Sequence, residues 1–267
     1  MNSGSDRAPG RALVVGGGTG LGLGAAEALA GRGFRVFLTG RRADVLARAA
    51  APIGAGWLAG DGTDQATARS VTAAAAAAMG GLDTLVISAG TSSIGSIATE
   101  DAETFLRVLH TNLLPTFHFT QAALPHMDQA GGGAIIVIAS VAASVPHADR
   151  LAYGTSKAAL VGMVRQMALD LAPRRVRVNA VSPGFVVTEL TERMMAREAD
   201  PAATRAIRLR QHPLGRFGSP EEIGEAIAWL ASPAGAWMTG QDVVLDGGLS
   251  LLAARRDIIT DNRKEGR

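Results

Sequence analysis

Tyr153 and Lys157 are the residues of this chain whose types and spacing most directly suggest chemistry. Tyr153 is the only tyrosine, Lys157 is one of only two lysines, and Ser140 lies thirteen residues upstream of the phenol. Positions four apart share one face of a helix, where an ammonium group favours the phenolate and lowers the phenol pKa. Such a phenol can exchange protons near neutral pH. A half-buried tyrosine beside a snorkelling lysine is the alternative.

A glycine-rich turn follows the first apolar run of the chain. Residues 16–22 read GGGTGLG and lead into an apolar helical segment. Glycines tolerate positive φ and let backbone N–H groups approach a pyrophosphate, and the helix N-terminus adds a favourable dipole for that anion. The position of the turn between a strand and a helix favours a dinucleotide site. A tight turn without a ligand is the alternative.

Two arginines, Arg41 and Arg42, follow the second apolar run. In dinucleotide sites an acidic residue at this place holds the ribose 2′-OH of NAD, whereas arginine accommodates the 2′-phosphate of NADP. A guanidinium also suits bidentate contact with phosphate. The pattern therefore favours NADP(H) and leaves NAD(H) open. Solvated charges at the start of a helix are the alternative.

Short apolar runs alternate with longer helical segments along the chain. The runs predict strands over residues 12–15, 35–39, 56–59, 84–88, 134–139, 177–181 and 243–245. Alanine-rich segments between them predict helices, among them 21–30, 43–50, 66–79 and 220–230. Strands that alternate with helices form βαβ units and hence a parallel sheet covered on both faces. We therefore expect a single α/β domain, a Rossmann-type doubly wound sheet of about seven strands.

The composition argues against several classes of function. The chain has 267 residues, a net charge of +2 with dispersed arginines, and no run of roughly 18 apolar residues, so neither a nucleic-acid nor a membrane partner is expected. Without cysteine it has no disulfide, and its five histidines show no metal-ligand pairing, so they are expected to be structural and no metal is expected. Residues 1–10 lack the apolar segment of a signal peptide, which predicts a cytoplasmic location.

With these motifs the chain resembles the short-chain dehydrogenase/reductase family in its single-domain form, over about residues 11–250. The turn matches the family's Thr-Gly-x-x-x-Gly-x-Gly motif, although Val15 replaces the threonine. Residues 87–90, ISAG, stand where the family has Asn-Asn-Ala-Gly, so both asparagines are replaced. The segments NAVSPG at 179–184, PLGR at 213–216 and TGQ at 239–241 follow the family's order and resemble 3-oxoacyl-thioester reductases and related carbonyl reductases.

The resemblance implies a catalytic set of four residues, Asn112, Ser140, Tyr153 and Lys157. Tyr153 would donate a proton to a carbonyl oxygen in reduction, or remove it from a secondary alcohol in oxidation, while a hydride moves to or from a nicotinamide. Lys157 would lower the Tyr153 pKa and hold the nicotinamide ribose. Ser140 would orient the substrate oxygen. Asn112 would hold a water that links Lys157 to solvent.

The same resemblance implies a nicotinamide cofactor, with NADP(H) preferred and NAD(H) as the alternative. Asp61 stands where the family holds the adenine amino group, and Thr188 where a hydroxyl contacts the carboxamide or the phosphates. The implied cofactor contacts are Gly16, Gly18, Thr19, Gly20, Leu21, Gly22, Arg41, Arg42, Asp61, Gly62, Ala89, Gly90, Asn112, Tyr153, Lys157, Pro183, Gly184, Val186 and Thr188.

A polar, arginine-rich stretch over residues 189–213 predicts a helical lid above the substrate, and we call it the lid segment. Its arginines could attract an anionic substrate, although solvated positions on a lid helix are the expected role. The expected substrate contacts are Ser140, Ala142, His147, Tyr153, Phe185 and Met194.

Two further expectations concern function and assembly. A cofactor-binding regulatory or scaffold protein of the same fold, without significant turnover, is the competing function, and the intact set of four residues argues against it. The resemblance implies a homotetramer or homodimer with the Tyr153 helix buried between subunits. Residues 1–10 are expected to form a flexible leader, and 251–267 a tail.

Overall fold

The computed structural model describes residues 10–196 and 199–252 of the chain. The leader expected over 1–10, except Gly10, and the tail expected over 251–267, except its first two residues, lie outside the described part. Within that part, no helix combines the length and the apolar character needed to cross a bilayer.

Seven parallel strands form one sheet in the order β3-β2-β1-β4-β5-β6-β7. The strands are β1 (Arg11–Val15), β2 (Arg35–Gly40), β3 (Gly56–Ala59), β4 (Thr84–Ile87), β5 (Gly133–Ile138), β6 (Val176–Pro183) and β7 (Asp242–Leu245). All seven predicted strands are present, with ends within two residues of the predicted ones. The prediction succeeds because the central strands are apolar and buried on both faces, as a parallel sheet requires.

Helices cover both faces of the sheet. They are α1 (Gly20–Gly31), α2 (Ala43–Ala50), α3 (Gln65–Met79), α4 (Ala102–Gln129), α5 (Leu151–Leu171), α6 (Glu189–Met195), α7 (Pro201–Arg210), α8 (Pro220–Ala231) and α9 (Leu249–Leu252). The four helices predicted by range correspond to α1, α2, α3 and α8, with ends within one residue. The Rossmann-type fold expected from the sequence is confirmed.

The alternation of side chains along β1 divides the hydrophobic core in two. Leu13 and Val15 pack with α3, α4 and α5, whereas Ala12 and Val14 pack on the opposite face with α1, α2 and α8. Burying a leucine or valine side chain contributes about 1.5–3 kcal/mol, so the two layers hold the strand ends in fixed positions. Loops at those ends can then carry function on a rigid frame.

The strand order reverses between β1 and β4, because the chain moves outward to β2 and β3 on one side and to β5, β6 and β7 on the other. In an open parallel sheet, such a point leaves a crevice beyond the carboxyl ends of the strands, where ligands bind.

Candidate active site

A cleft of about 1140 Å³ opens at the carboxyl ends of the strands, beside the point where the strand order reverses. One wall is the glycine turn that leads into α1, and the opposite wall includes residues of α6 and α7. Small-molecule sites commonly measure roughly 300–1,000 Å³, so this cleft has room for a ligand larger than most.

Helix α5 places Tyr153 and Lys157 on the wall of the cleft, one helical turn apart. Tyr153 is partly buried, whereas Lys157 is almost fully buried at 7% exposure. The Lys157 Nζ donates a hydrogen bond of 2.9 Å to the carbonyl oxygen of Ile138, the last residue of β5. It lies 5.9 Å from the centre of the Tyr153 ring. The lysine thus ties α5 to the end of β5 and stays close to the phenol.

The ionisation of this pair differs from the sequence expectation. Burial raises the pKa of Tyr153, and the opposing influences are hydrogen bonding with the Ser140 side chain and the charge of Arg150, rather than the charge of Lys157. Burial lowers the pKa of Lys157 itself to about 8. The expected lowering of the Tyr153 pKa by Lys157 is therefore not found, because the ammonium group is directed to a backbone carbonyl and burial penalises both charged forms.

Ser140 lies directly beyond β5 on the floor of the cleft and is 8% exposed. Its Oγ accepts a hydrogen bond of 3.2 Å from the backbone N–H of Ala142, where a short 3₁₀ turn begins. This contact leaves the hydroxyl hydrogen free to donate toward the phenol and the cleft.

Asn112 lies inside α4 and is fully buried, away from the cleft surface. Its Oδ1 accepts from the backbone N–H of Thr91 at 2.7 Å, and its Nδ2 donates to the Thr91 carbonyl at 3.0 Å and to the Ser156 Oγ at 2.8 Å. Ser156 in turn donates to the carbonyl of Tyr153 at 2.7 Å. Asn112 therefore joins the loop after β4 to the turn of α5 that carries the phenol.

The glycine turn needs glycine for two different reasons. Gly16 has a φ of 79°, and a Cβ there would lie 2.8 Å from the backbone nitrogen of Ala89. Gly22 lies behind the turn, where a Cβ would overlap the carbonyl oxygen of Gly16. Gly20 has a φ of 55°, and a Cβ there would contact the Thr188 side chain at 3.5 Å. The glycines thus let α1 begin directly against the sheet, with its N-terminus directed into the cleft.

Arg41, Arg42 and Asp61 lie together at the β2–β3 end of the cleft. Asp61 accepts from the Thr63 backbone N–H at 2.9 Å and from the Thr63 hydroxyl at 2.8 Å. These hydrogen bonds, and then the charge of Arg41, hold the pKa of Asp61 below its usual value. The end of the cleft beyond β2 is therefore polar and contains two exposed guanidinium groups.

The opposite end is lined by Ala142, His147 and Phe185. The Phe185 ring lies 4.6 Å from that of Phe217, and its backbone N–H donates to the Nε2 of His212 at 3.3 Å. With Nε2 as the acceptor of this bond, the Nδ1 donates to the Arg208 carbonyl at 2.8 Å. This buried histidine therefore connects the loop after β6 to the end of α7.

The comparisons with known proteins agree with this geometry. A family model described as "Enoyl-(Acyl carrier protein) reductase" matches residues 16–250, which include the glycine turn, the phenol and the lid segment. The chain belongs to the short-chain dehydrogenase/reductase family. Members of this family bind nicotinamide cofactors and act on alcohols and ketones.

Three relatives illustrate the range of the short-chain dehydrogenases/reductases near this chain. "Inactive 2-(S)-hydroxypropyl-CoM dehydrogenase 2" of Xanthobacter autotrophicus is 38% identical over 85% of this chain and 100% of its own length. The 3-oxoacyl-(acyl-carrier-protein) reductase FabG of Thermotoga maritima is 35% identical over 70% of this chain and 74% of its own. A crystal structure of an actinorhodin polyketide ketoreductase variant with NADPH has a TM-score of 0.86 and 30% identity, covering 90% of this chain and 97% of its own.

Most residues predicted for a short-chain dehydrogenase/reductase site line the one cleft. Two do not appear on its surface: Asn112 is buried beneath it, and Gly22 lies behind the turn, while the side chain of Met194 on α6 is outside the described part. The first two act by shaping the loops that form the cleft.

Two residues of this short-chain dehydrogenase/reductase cleft were missed or undervalued in the sequence. Arg150 immediately precedes α5, lines the cleft and acts on the Tyr153 pKa, and its position three residues before the phenol could have indicated this. Arg208 was grouped with the solvated arginines of the lid segment, but it lines the cleft. No local sequence signal separates it from its neighbours, because the separation depends on how α7 packs.

Proposed function

We propose that this protein is an NADP(H)-dependent oxidoreductase that interconverts a carbonyl compound and a secondary alcohol, with Tyr153 as the general acid and base. The observation that carries the proposal is the meeting of Tyr153 and Ser140 in the same cleft as the glycine turn. A hydroxyl pair directed at one position, beside a backbone site for a pyrophosphate, suits proton transfer coupled to a dinucleotide reaction.

The residues present fit a phosphorylated dinucleotide. The turn around Gly16 and Gly20 presents backbone that Cβ atoms would otherwise obstruct, and the N-terminus of α1 favours a pyrophosphate. Arg41 and Arg42 supply positive charge at the adenosine end and suit a 2′-phosphate, which favours NADP(H) over NAD(H). The actinorhodin ketoreductase relative, solved with NADPH, supports the same preference. When bound, the nicotinamide supplies or accepts the hydride.

Tyr153 performs the proton transfer. Because burial raises its pKa, the phenol is protonated at neutral pH and can donate to the oxygen of a carbonyl substrate. Ser140 donates a second hydrogen bond to that oxygen as negative charge develops on it. In the oxidative direction the deprotonated form of Tyr153 accepts the proton, and the raised pKa makes that form scarce near neutral pH.

Lys157 and Asn112 help to position Tyr153. The Lys157 ammonium donates to the Ile138 carbonyl and lies 5.9 Å from the centre of the Tyr153 ring, and we assign it the predicted contact with the nicotinamide ribose. Asn112 holds Thr91 and Ser156 together and thereby keeps α5 in register with the loop after β4. In this proposal Asn112 is a positioning residue, and the predicted water link from Lys157 to solvent stays a prediction.

The lid segment and the assembly complete the proposal. Helices α6 and α7 form a wall of the cleft at the Ser140 end, and we assign them the exclusion of water before hydride transfer.

Leu106 and Phe117 on α4 and Leu169 on α5 are exposed by 62%, 46% and 73%. These apolar side chains support a homodimer or homotetramer that buries α4 and α5.

The proposal is tested by titrating the purified protein with NADPH and with NADH while nicotinamide fluorescence is recorded, followed by a panel of ketones. We expect NADPH to bind more tightly than NADH and at least one ketone to be reduced. Failure to bind either dinucleotide would overturn the proposal, and tighter binding of NADH would overturn its choice of cofactor.

A cofactor-binding regulatory protein without significant turnover is the second candidate. The observation that favours it is that the Xanthobacter relative, which aligns over its full length, is named as inactive. The presence of Ser140, Tyr153 and Lys157 in one cleft argues against it. Tight NADPH binding with no reduction of any ketone, by wild-type protein at high concentration, would favour this candidate.

A further inference from the structure

The arginines of the lid segment differ in their partners. Arg193 pairs with Glu189 at 3.3 Å, and Arg205 pairs with Glu192 at 2.9 Å in a separate small depression between α6 and α7. Arg208 lines the cleft and, among the described residues, has no carboxylate within ion-pair distance. Arg197 lies outside the described residues. The lid arginines are therefore not equivalent solvated charges.

Arg208 lies on the face of α7 that lines the cleft. The cleft residues of this helix and its C-terminal end are Thr204, Ile207, Arg208 and Gln211, whose spacing is that of one helical face. The Arg208 Cζ lies 5.1 Å from the centre of the Phe185 ring, and the side chain is partly buried. Stacking on an aromatic ring holds the guanidinium in place while its edge stays free for a ligand.

Arg150 reaches the same end of the cleft from a different element. It stands just before α5, is partly buried and donates from Nη1 to the Ser93 carbonyl at 3.2 Å. It too has no carboxylate within ion-pair distance in the described part of the chain. Its charge acts on both Tyr153 and His147, and the charge of Arg208 also acts on His147. The two guanidinium groups therefore flank one region beside the phenol.

No acidic side chain of the described cleft balances these two charges. Its lining carboxylates are Asp61, which lies at the β2–β3 end, and Glu189, which pairs with Arg193. Burial and the neighbouring arginines lower the pKa of His147, so this ring is neutral at neutral pH. Two partly buried positive charges that have no ion-pair partner among the described residues attract an anion more strongly than exposed charges do, because water screens them less.

We propose that Arg150 and Arg208 form an anion subsite, and that the substrate is a small ketone or secondary alcohol that carries a carboxylate or a similar anionic group. This inference rests on the proposed function and names its substrate class. The reacting carbon lies at Tyr153 and Ser140, and the anionic group points toward α7. Guanidinium groups bind a planar carboxylate through paired hydrogen bonds, and the neutral His147 adds one further donor or acceptor.

The first test measures binding without chemistry. Wild-type protein loaded with NADPH is titrated with hexanoate and with hexanamide, which differ in charge but hardly in shape, and bound-nicotinamide fluorescence is recorded. Calorimetry on cofactor-free protein repeats the comparison independently of the nicotinamide. We expect hexanoate to bind roughly tenfold or more tightly than hexanamide, as expected for a charge-assisted hydrogen bond.

Matched variants assign the preference to the cleft. Arg208→Met keeps an unbranched stem over Phe185 but removes the charge, and we expect it to lose most of the preference for hexanoate. Arg205→Met removes a charge from the same helix outside the cleft and should leave the preference unchanged. Arg208→Lys should retain part of it, because the charge remains without the paired donors.

The second test measures turnover of short methyl-ketone carboxylates against their methyl esters. We expect Arg208→Met to raise KM for the carboxylates roughly 10- to 100-fold while kcat and the KM for the esters change little. Equal binding of hexanoate and hexanamide, or equal effects of Arg208→Met and Arg205→Met, would overturn the subsite while NADPH binding and reductase activity stand. Failure of the wild-type protein to bind NADPH would instead overturn the proposed function.

Discussion

The two ends of the cleft are built in different ways. At the end assigned to the pyrophosphate the wall is formed by backbone: the glycine turn touches the loop after β4, and the N-terminus of α1 is directed into the space between them. The end assigned to the substrate is formed by side chains on two short helices, where Arg193 and Arg205 pair with carboxylates. Arg208 stacks on Phe185 and has no carboxylate partner among the described residues. Close backbone contacts restrict which residues fit at the first end. At the second end, the role of each arginine depends on the side chain with which it pairs.

The two ends should therefore differ in how well they tolerate substitution. A Cβ at Gly22 collides with backbone, which cannot move without disturbing the sheet, so the turn tolerates few changes. An arginine on α7 can exchange partners at small cost to stability, since exposed ion pairs contribute only about 0–1 kcal/mol. The predictions below begin with the glycine turn, continue with the buried Lys157 and end with the smallest expected effect, at Arg41.

Gly22→Ala should cause the largest loss at the nucleotide end. The added methyl group would overlap the Gly16 carbonyl, so α1 must shift and carry the turn with it. We expect about 1–3 kcal/mol of destabilisation and roughly a 100-fold loss in kcat/KM for NADPH. Gly31→Ala, at the far end of the same helix with no atom within 4 Å of the new Cβ, is the matched control and should be neutral or stabilising. Similar behaviour of the two variants would contradict the account of the turn.

Lys157→Met should inactivate the enzyme and stabilise the fold. Folding lowers the pKa of Lys157 from 10.5 to about 8, so at neutral pH the folded protein buries a charge that the unfolded chain leaves in water. Removing it should raise the free energy of unfolding by roughly 1–3 kcal/mol at neutral pH.

The pH dependence gives this prediction a sign. Between about 8 and 10.5 the unfolded chain binds the Lys157 proton and the folded protein does not, so the stability contributed by this group rises with pH in the wild type. Lys157→Met should lack that rise in urea-unfolding measurements across this range. If stability rises equally with pH in both proteins, or if the variant is less stable at neutral pH, burial does not penalise the charged form of Lys157.

Arg41→Leu should have the smallest effect, limited to the choice of cofactor. Its guanidinium is exposed beside Asp61, so we expect about a tenfold loss of NADPH affinity and little change for NADH. Arg48→Leu, which removes an exposed charge paired with Asp44 on α2, should change neither affinity. Equal losses for both dinucleotides in fluorescence titrations would contradict the assignment of Arg41 to a 2′-phosphate.

The sequence was informative where a single physical requirement controls a position. Buried strands require apolar runs, and a turn against backbone requires glycine, so the sheet, the helices around it and the position of Gly16 were predicted. The raised pKa of Tyr153 was not predicted. The Lys157 ammonium can donate to the phenol or to the Ile138 carbonyl, and only the packed structure shows that it donates to the carbonyl. The position of Arg208 in the cleft was not predicted either, because it depends on the orientation of α7.

The central claim is that Tyr153 transfers the proton in a cleft that binds the dinucleotide independently of it. Tyr153→Phe tests this most directly, because it removes one hydroxyl and keeps the ring that packs on the cleft wall. The account predicts that kcat for ketone reduction falls about 100- to 10,000-fold while the NADPH dissociation constant, measured by fluorescence on the same preparation, stays within about twofold. A Phe variant that retains turnover, or that loses NADPH binding along with it, would contradict the account.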